Sequence, residues 1–351
     1  MEKSVVLVSP LKLELQEFEI PHIGRNEALL KVMAVGVCST DVAAYQGKFT
    51  RWPLPLIMGH EVVGEIVEIG DEASQIYKIN IGDIVAVEPY ISCGVCEYCS
   101  KGHYQLCINR RAYGAISCTV PPHLWGGYGQ YMYIAPGSHI HKIPKEIDII
   151  VGTMVNVVSN GIRWVCTKGQ VELGSTVLII GPGIQGLIST LIAKEVGAEK
   201  VILAGLSEDK ERLQLGKELG ADFLIYVNEE DIYKKVSEIT NNRMVDVCII
   251  CAPSISAIEI APKLVKQMGR IVIIANTEGK KAMFIPDEIV WREIEIVGGL
   301  GQSDGEKAIK IISKHQLKIR KMINETFSLK DIEKAFNFVE MKKVIKAVIL
   351  P

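Results

Sequence analysis

Two rhythms of apolar and polar positions divide the chain. Over roughly the first 150 residues, short strand-like apolar runs at 28–36, 61–67 and 83–87 are separated at short intervals by Gly, Pro and Asn. Residues 1–8 already read as an alternating strand. Such punctuation predicts a compact β-rich domain. From about residue 153 the rhythm changes. Strand-length apolar runs at 176–180, 200–204, 222–227, 245–251, 270–275 and 293–298 alternate with helix-compatible stretches such as 187–196 and 209–219. That alternation predicts an α/β unit, a doubly wound parallel sheet with helices on both faces. Helical patterns at 306–313 and 330–339 and a closing strand at 346–350 follow. The tail is expected to rejoin the first domain, which makes the parallel-sheet domain an insertion: 1–152, 153–295, and 296–351 returning.

Composition narrows the class. A chain of 351 residues can bury two cores, and 48% hydrophobic with 23% charged residues describes an ordinary soluble protein. A net charge of −2 with no basic stripe argues against nucleic acid as a partner. The longest apolar runs are strand-length and too short to span a membrane, and the first residues lack the pattern of a secretory signal. The nine cysteines include a cluster suited to metal, which needs reducing surroundings, so the cytoplasm is the expected compartment.

That cluster is Cys93-x2-Cys96-x2-Cys99-x7-Cys107. Two-residue gaps let successive thiolates turn back toward one centre and wrap a zinc ion tetrahedrally. Gly94, Ser100 and Gly102 permit the tight path. Free or disulfide-bonded cysteines are the alternative, disfavoured by polar neighbours such as Glu97, Lys101 and His103. A closed site of this kind holds a loop in place and does no chemistry.

A second motif, Gly181-Pro182-Gly183-Ile184-Gln185-Gly186, sits between the strand 176–180 and a helix opening near Leu187. In that context it predicts a dinucleotide loop: glycines let the backbone approach a pyrophosphate, whose charge rests on the helix N-terminus. An ordinary βα turn is the bland alternative. The following strand ends in Gly205, where an NAD site places a ribose-binding acid. Ser207, Lys210 and Arg212 lie just downstream, placed either to meet a 2′-phosphate or to form a solvated first turn. The balance leans slightly to NADP.

Upstream lie Cys38-Ser39-Thr40-Asp41 and Gly59-His60-Glu61-Val62-Val63-Gly64. Cysteine, histidine and carboxylate are zinc ligand types. Singly, Cys38 also reads as a buried thiol, His60 as a core histidine and Glu61 as a surface acid. Taken with the cysteine lobe and the glycine fingerprint, the whole chain resembles the zinc-containing medium-chain alcohol dehydrogenases, closest to the polyol and threonine dehydrogenase branch. The resemblance implies a GroES-like β domain carrying two zinc ions, one structural and one catalytic, and an inserted Rossmann domain. It implies Cys38 and His60 as catalytic zinc ligands and Glu61 as a carboxylate at or next to the metal. Asp41 would orient His60, and Thr40 would begin the proton path. The implied activity is hydride transfer between a secondary alcohol (a polyol, sugar or amino alcohol), or the corresponding ketone, and NAD(P), in a homodimer or homotetramer.

Two positions depart from the family pattern. Asn156 stands where a further zinc-ligating Cys, Asp or Glu is usual, and Ala43 where a proton-relay histidine is common. Glu61 is therefore expected to coordinate more directly, or water to complete the site. The same departures keep a rival reading, a nucleotide-binding or redox-sensing homologue with an impaired catalytic zinc. A zinc-free quinone reductase relative and a zinc-finger interaction protein fit less well. Cys248 and Cys251 read as core residues of a strand, His139 and His141 as solvated, and Tyr45, Trp52, Trp125 and Tyr128 as packing, with an edge of a substrate pocket the alternative for Trp125 and similarly for Tyr45 and Trp52.

Overall fold

The computed structural model describes residues 1–49, 51–301 and 304–351. Two compact units form, one from Met1–Asn156 with Gly305–Pro351 and the other from Val157–Asp304. The breaks fall later than the sequence pattern placed them, at 157 rather than 153 and at 305 rather than 296. Helix Ile149–Gly152 packs on the strand Ala28–Gly36 within the first unit. Beyond strand Glu295–Gly298, Gly299 lies against the Trp164 ring and the Leu300 carbonyl accepts from Arg163, which keeps this stretch with the second.

The first unit is built on an eight-stranded sheet, in the order Ile323–Ser328, Lys346–Leu350, Ala28–Gly36, Glu61–Ile69, Ile84–Ile91 and Arg111–Ala112, with Tyr131–Ile134 and Ser138–Lys142 branching from it. A three-stranded sheet of Lys12–Phe18, Glu2–Ser9 and Leu56–Ile57 accompanies it. The closing strand lies antiparallel beside Ala28–Gly36, with Val348 opposite Gly36, and Gly36 is in turn opposite Glu61. This register brings three distant stretches of sequence to one point. Leu30, Val35, Val62, Ile66, Tyr128, Phe336 and Ile349 fill the core beneath.

The second unit is a six-stranded, all-parallel sheet: Phe223–Tyr226, Lys200–Gly205, Thr176–Ile180, Val245–Ile250, Val265–Ile273, Glu295–Gly298. That is the doubly wound strand order, with helices such as Ile184–Glu195 and Lys210–Leu219 between strands. Its central strands read as unbroken apolar runs because both faces are covered: Leu178, Ile202, Cys248, Ile250 and Ile271 are all buried. Among the described residues no helix is long and apolar enough to cross a membrane.

His139 and His141 are half-buried and engaged with neighbours rather than simply solvated. The His139 ring stacks on Tyr104 at 3.8 Å between centroids and its Nε2 lies 3.0 Å from Ser92 Oγ. His141 Nε2 and the Tyr104 hydroxyl both meet the buried Glu88 carboxylate. An exposed-looking alternation on strand Ser138–Lys142 conceals this because its partner acid lies 53 residues away.

Glu2 is also buried, accepting from the Ser4 hydroxyl and the amides of Gln130 and Tyr131. Burial pushes its carboxyl above the ordinary value of 4.5, and those hydrogen bonds only partly offset the rise. A raised folded-state value favours the protonated form, so this stabilisation is full below the usual carboxylate range and is lost as pH rises through the raised value. Glu2→Gln keeps the acceptor and can donate to Ser4. It should gain stability over wild type on going from pH 4.5 to neutrality, checked by paired thermal melts.

Candidate active site and cofactor loop

The cysteine lobe closes on itself. The four Sγ atoms of Cys93, Cys96, Cys99 and Cys107 lie within 4.8 Å of one another, with Cys96–Cys99 at 3.5 Å, Cys93–Cys107 at 3.4 Å and Cys93–Cys99 at 4.0 Å. Tetrahedral thiolates about 2.3 Å from one ion stand roughly 3.8 Å apart, so the donor set fits zinc. Amides of Cys99 and Ile108 pull the Cys96 thiol down to about 6, while burial and its sulfur neighbours push Cys99 up to about 12. Four thiols this close cannot all ionise without a cation.

The second cluster joins Cys38, His60 and Glu61, whose ligand atoms also lie within 4.8 Å of one another. Cys38 caps the helix Ser39–Tyr45, and its amide donates to Asp41 Oδ2 at 3.1 Å. Its thiol lies 3.6 Å from Thr40 Oγ1. His60 follows Gly59, whose φ of +88° swings the chain into strand Glu61–Ile69. Asp41 Oδ1 stands 3.3 Å from His60 Nδ1, both fully shielded from solvent, and the other ring nitrogen is left for a metal. Burial works to raise the Asp41 carboxyl, but the His60 ring, the Cys38 amide and the Tyr128 hydroxyl outweigh it and hold it low. Cys, His and carboxylate on one fixed centre suit zinc with an open position.

Glu61 has a second partner. Lys346, 2% exposed, pairs with Glu61 Oε2 and donates to the Val37 carbonyl at 2.9 Å. A Cβ at Gly36 would run into both side chains, so that glycine makes room for the pair. Trp52 packs against the core and stands edge-on to His60 at 6.4 Å, backed by Phe49 at 5.0 Å. Asn156 is half-buried on the helix Val155–Ile162, and Ala43 is half-buried on the helix behind Cys38.

In the second unit the three glycines of the loop do separate jobs. Gly181 has φ +108°, Gly183 faces open space, and a Cβ on Gly186 would strike the Gly181 carbonyl. Helix Ile184–Glu195 starts there with no side-chain cap, so its first amides stay available to an anion.

Residues 24–145 match the alcohol dehydrogenase GroES-like domain and residues 186–314 match the zinc-binding dehydrogenase domain. A probable alcohol dehydrogenase of Mycobacterium tuberculosis is 35% identical over 85% of this chain and 83% of its own length. The chain belongs to the zinc-containing medium-chain alcohol dehydrogenase family. D-arabitol-phosphate dehydrogenase of Enterococcus avium is 30% identical over 95% of this chain and 92% of its own. The crystal structure of an alcohol dehydrogenase from Thermotoga maritima superposes with a TM-score of 0.91 at 27% identity, covering 100% of this chain and 99% of that one.

As a member of this family the protein is a zinc-dependent oxidoreductase that moves hydride between an alcohol and NAD(P). The impaired-binder alternative is not favoured. Within that frame, several side chains expected at the dinucleotide loop prove to be engaged. Gln185 Oε1 accepts from the Trp164 indole at 2.9 Å. Ser207 is clamped by Asn228, which accepts its amide at 2.9 Å and donates to its hydroxyl at 2.8 Å. Arg212 lies 3.8 Å from Asp209, with 16% of its side chain exposed, whereas Lys210 is exposed. A side chain at Gly205 would press on Pro182 2.7 Å away, which accounts for the missing acid. Lys346, Gly36 and Asn228 escaped the sequence reading. Only Lys346 left a trace there, a charge at the head of an apolar strand.

Proposed function

We propose that Cys38, His60 and Glu61 hold the catalytic zinc, that Cys93, Cys96, Cys99 and Cys107 hold the structural one, and that the substrate is a polyol or similar secondary alcohol. The observation that carries this reading is the convergence of thiolate, imidazole and carboxylate within 4.8 Å, oriented by Asp41. Zinc held there would supply Lewis-acid polarisation of the substrate oxygen, with a bound nicotinamide as the hydride acceptor. Asp41 keeps the proton on His60 Nδ1, Thr40 receives the proton leaving the substrate hydroxyl, and Trp52 and Phe49 form an apolar wall beside the ligands. With Ala43 where a relay histidine could stand, Thr40 would hand its proton to water or to the ribose of a bound cofactor. Glu61, rather than the neutral amide of Asn156, completes the ligand set.

Amides at the start of helix Ile184–Glu195, with Gly181, Gly183 and Gly186, would receive the pyrophosphate. Ser207, presented by Asn228, is the side chain best placed near the end of strand Lys200–Gly205 for the adenosine ribose or its 2′-phosphate. Resemblance to D-arabitol-phosphate dehydrogenase supports the polyol class.

Of the homodimer or homotetramer that the resemblance implies, a homodimer is the assembly proposed. Strand Glu295–Gly298 is the outer edge of its sheet, and Met283, Phe284, Ile285, Val290, Trp291 and Ile296 are exposed around it. An unpaired edge rimmed by apolar side chains suits a second copy of the same chain. A cytoplasmic setting is part of this reading, because the lobe thiolates need reducing surroundings to hold zinc.

One experiment tests the set. The purified chain is screened with NAD and NADP against polyols, sugars, amino alcohols and simple secondary alcohols, with zinc content and light-scattering mass measured on the same sample. Turnover with at least one pair, two zinc ions per chain and a dimer are expected, and Cys38→Ser should lower kcat/KM by roughly a thousandfold or more. No turnover at full zinc occupancy would remove the catalytic reading, and a monomer would remove the edge interface.

A further inference from the structure

Tyr128 lies outside the ligand set, yet it touches both things that aim His60. Its side chain is fully buried, and its hydroxyl donates to Asp41 Oδ2 at 2.9 Å. The Cys38 amide donates to the same oxygen at 3.1 Å. Oδ2 therefore takes two donors, and Oδ1 is left facing His60 Nδ1 at 3.3 Å. A carboxylate with one donor on that side could rotate or tilt. With two it is pinned. The Tyr128 ring also lies under the α-carbon of Gly59, where a Cβ would come within 2.9 Å of the ring, and Gly59 immediately precedes His60. The backbone on either side is locked as well: Gly127 donates to the Gly59 carbonyl at 2.9 Å and Tyr128 to the Met58 carbonyl at 3.0 Å.

We propose that Tyr128 is a positioning residue for the catalytic metal, fixing through Asp41 and Gly59 the direction of the free His60 nitrogen. Burial and the adjacent Asp41 push its phenol well above the ordinary tyrosine range, so it remains a donor across the working pH range. Partners of metal-bound histidines carry roughly ten- to hundredfold in metal affinity, and a group acting on such a partner from behind should carry about three- to tenfold. The inference rests on the reading of Cys38, His60 and Glu61 as the catalytic zinc site.

The test is Tyr128→Phe, which keeps the ring against Gly59 and the Phe336 ring at 5.9 Å and removes only the hydroxyl. Zinc release to a chelator is followed in wild type, Tyr128→Phe, Asp41→Asn and the double variant. The expected result is about three- to tenfold faster release of one zinc in Tyr128→Phe, unchanged release of the other, and an altered visible spectrum of the cobalt-substituted catalytic site. In the Asp41→Asn background the second substitution should add little. Equal release rates and identical cobalt spectra in wild type and Tyr128→Phe would overturn the proposal, even if the melting temperature fell. A wild type that holds only the lobe zinc would instead sink the underlying site reading. Should Tyr128→Phe not fold, 3-fluorotyrosine at position 128, a stronger donor of nearly the same shape, should slow release, and an unchanged rate overturns the proposal.

Discussion

Metal-free Lys346→Met protein should melt roughly 10 °C below wild type and recover more on adding zinc than wild type gains. Lys346 and Glu61 are 2% and 5% exposed, so the pair is held out of water on all sides. Removing one member of a buried pair strands the other charge, at about 3–5 kcal/mol. Zinc offers the stranded carboxylate a replacement cation at the same place, which is why the loss should be zinc-sensitive. The Val37 carbonyl also loses its donor, a smaller penalty that zinc cannot repair. Scanning calorimetry with and without zinc reads both effects. A Glu61→Gln/Lys346→Met double variant should recover most of the metal-free stability and lose the extra zinc response. Equal zinc gains in wild type and Lys346→Met would remove Lys346 as a competitor for that carboxylate.

Cys99→Ser should halve the zinc content and loosen one lobe while the rest of the unit stays folded. Between Cys93 and Cys107 the chain has only the short helix Glu97–Ser100 and a single turn at Tyr104–Leu106. Val95 is 86% exposed, and Leu106 and Ile108 are exposed too, so almost no apolar interior is available. Metal–sulfur bonds must then supply most of the local folding energy. A serine hydroxyl does not replace a thiolate, and losing one of four ligands should weaken zinc at this site by about a hundredfold or more. Elemental analysis should fall from two zinc ions per chain to one, with new protease cuts within 93–107. Retention of two ions, or an uncut lobe, would show that packing rather than metal holds it.

Motifs compressed into short windows were legible from sequence: the cysteines at 93–107, the loop at 181–186 and the GHE triplet at 59–61. Each carries its geometry in local spacing, and the structure brings each together. The parallel sheet was equally legible, because strands covered on both faces must be apolar throughout. What local pattern could not reveal were pairings set by register. Lys346 reaches Glu61 only because the closing strand lies beside Ala28–Gly36, and Tyr128 reaches Asp41 across 87 residues. Both read as ordinary positions, a charge at a strand end and an aromatic in a glycine-rich loop. Ser207 and Arg212 show the converse: sequence left them open between a phosphate contact and the first turn of a helix, and the structure engages them with Asn228 and Asp209.

The separation of Glu61 from Lys346, 285 positions along the chain, has a consequence for the order of folding. Until the strand Lys346–Leu350 docks, Glu61 has no internal counter-charge, and burying it alone is costly. The β-rich unit therefore cannot close tightly over this point as its first half leaves the ribosome. The inserted sheet of Val157–Asp304 has its own core and can fold meanwhile. The surroundings of Glu61 thus take their final shape only once the strand Lys346–Leu350 has been made and has docked, with the arrival of one lysine.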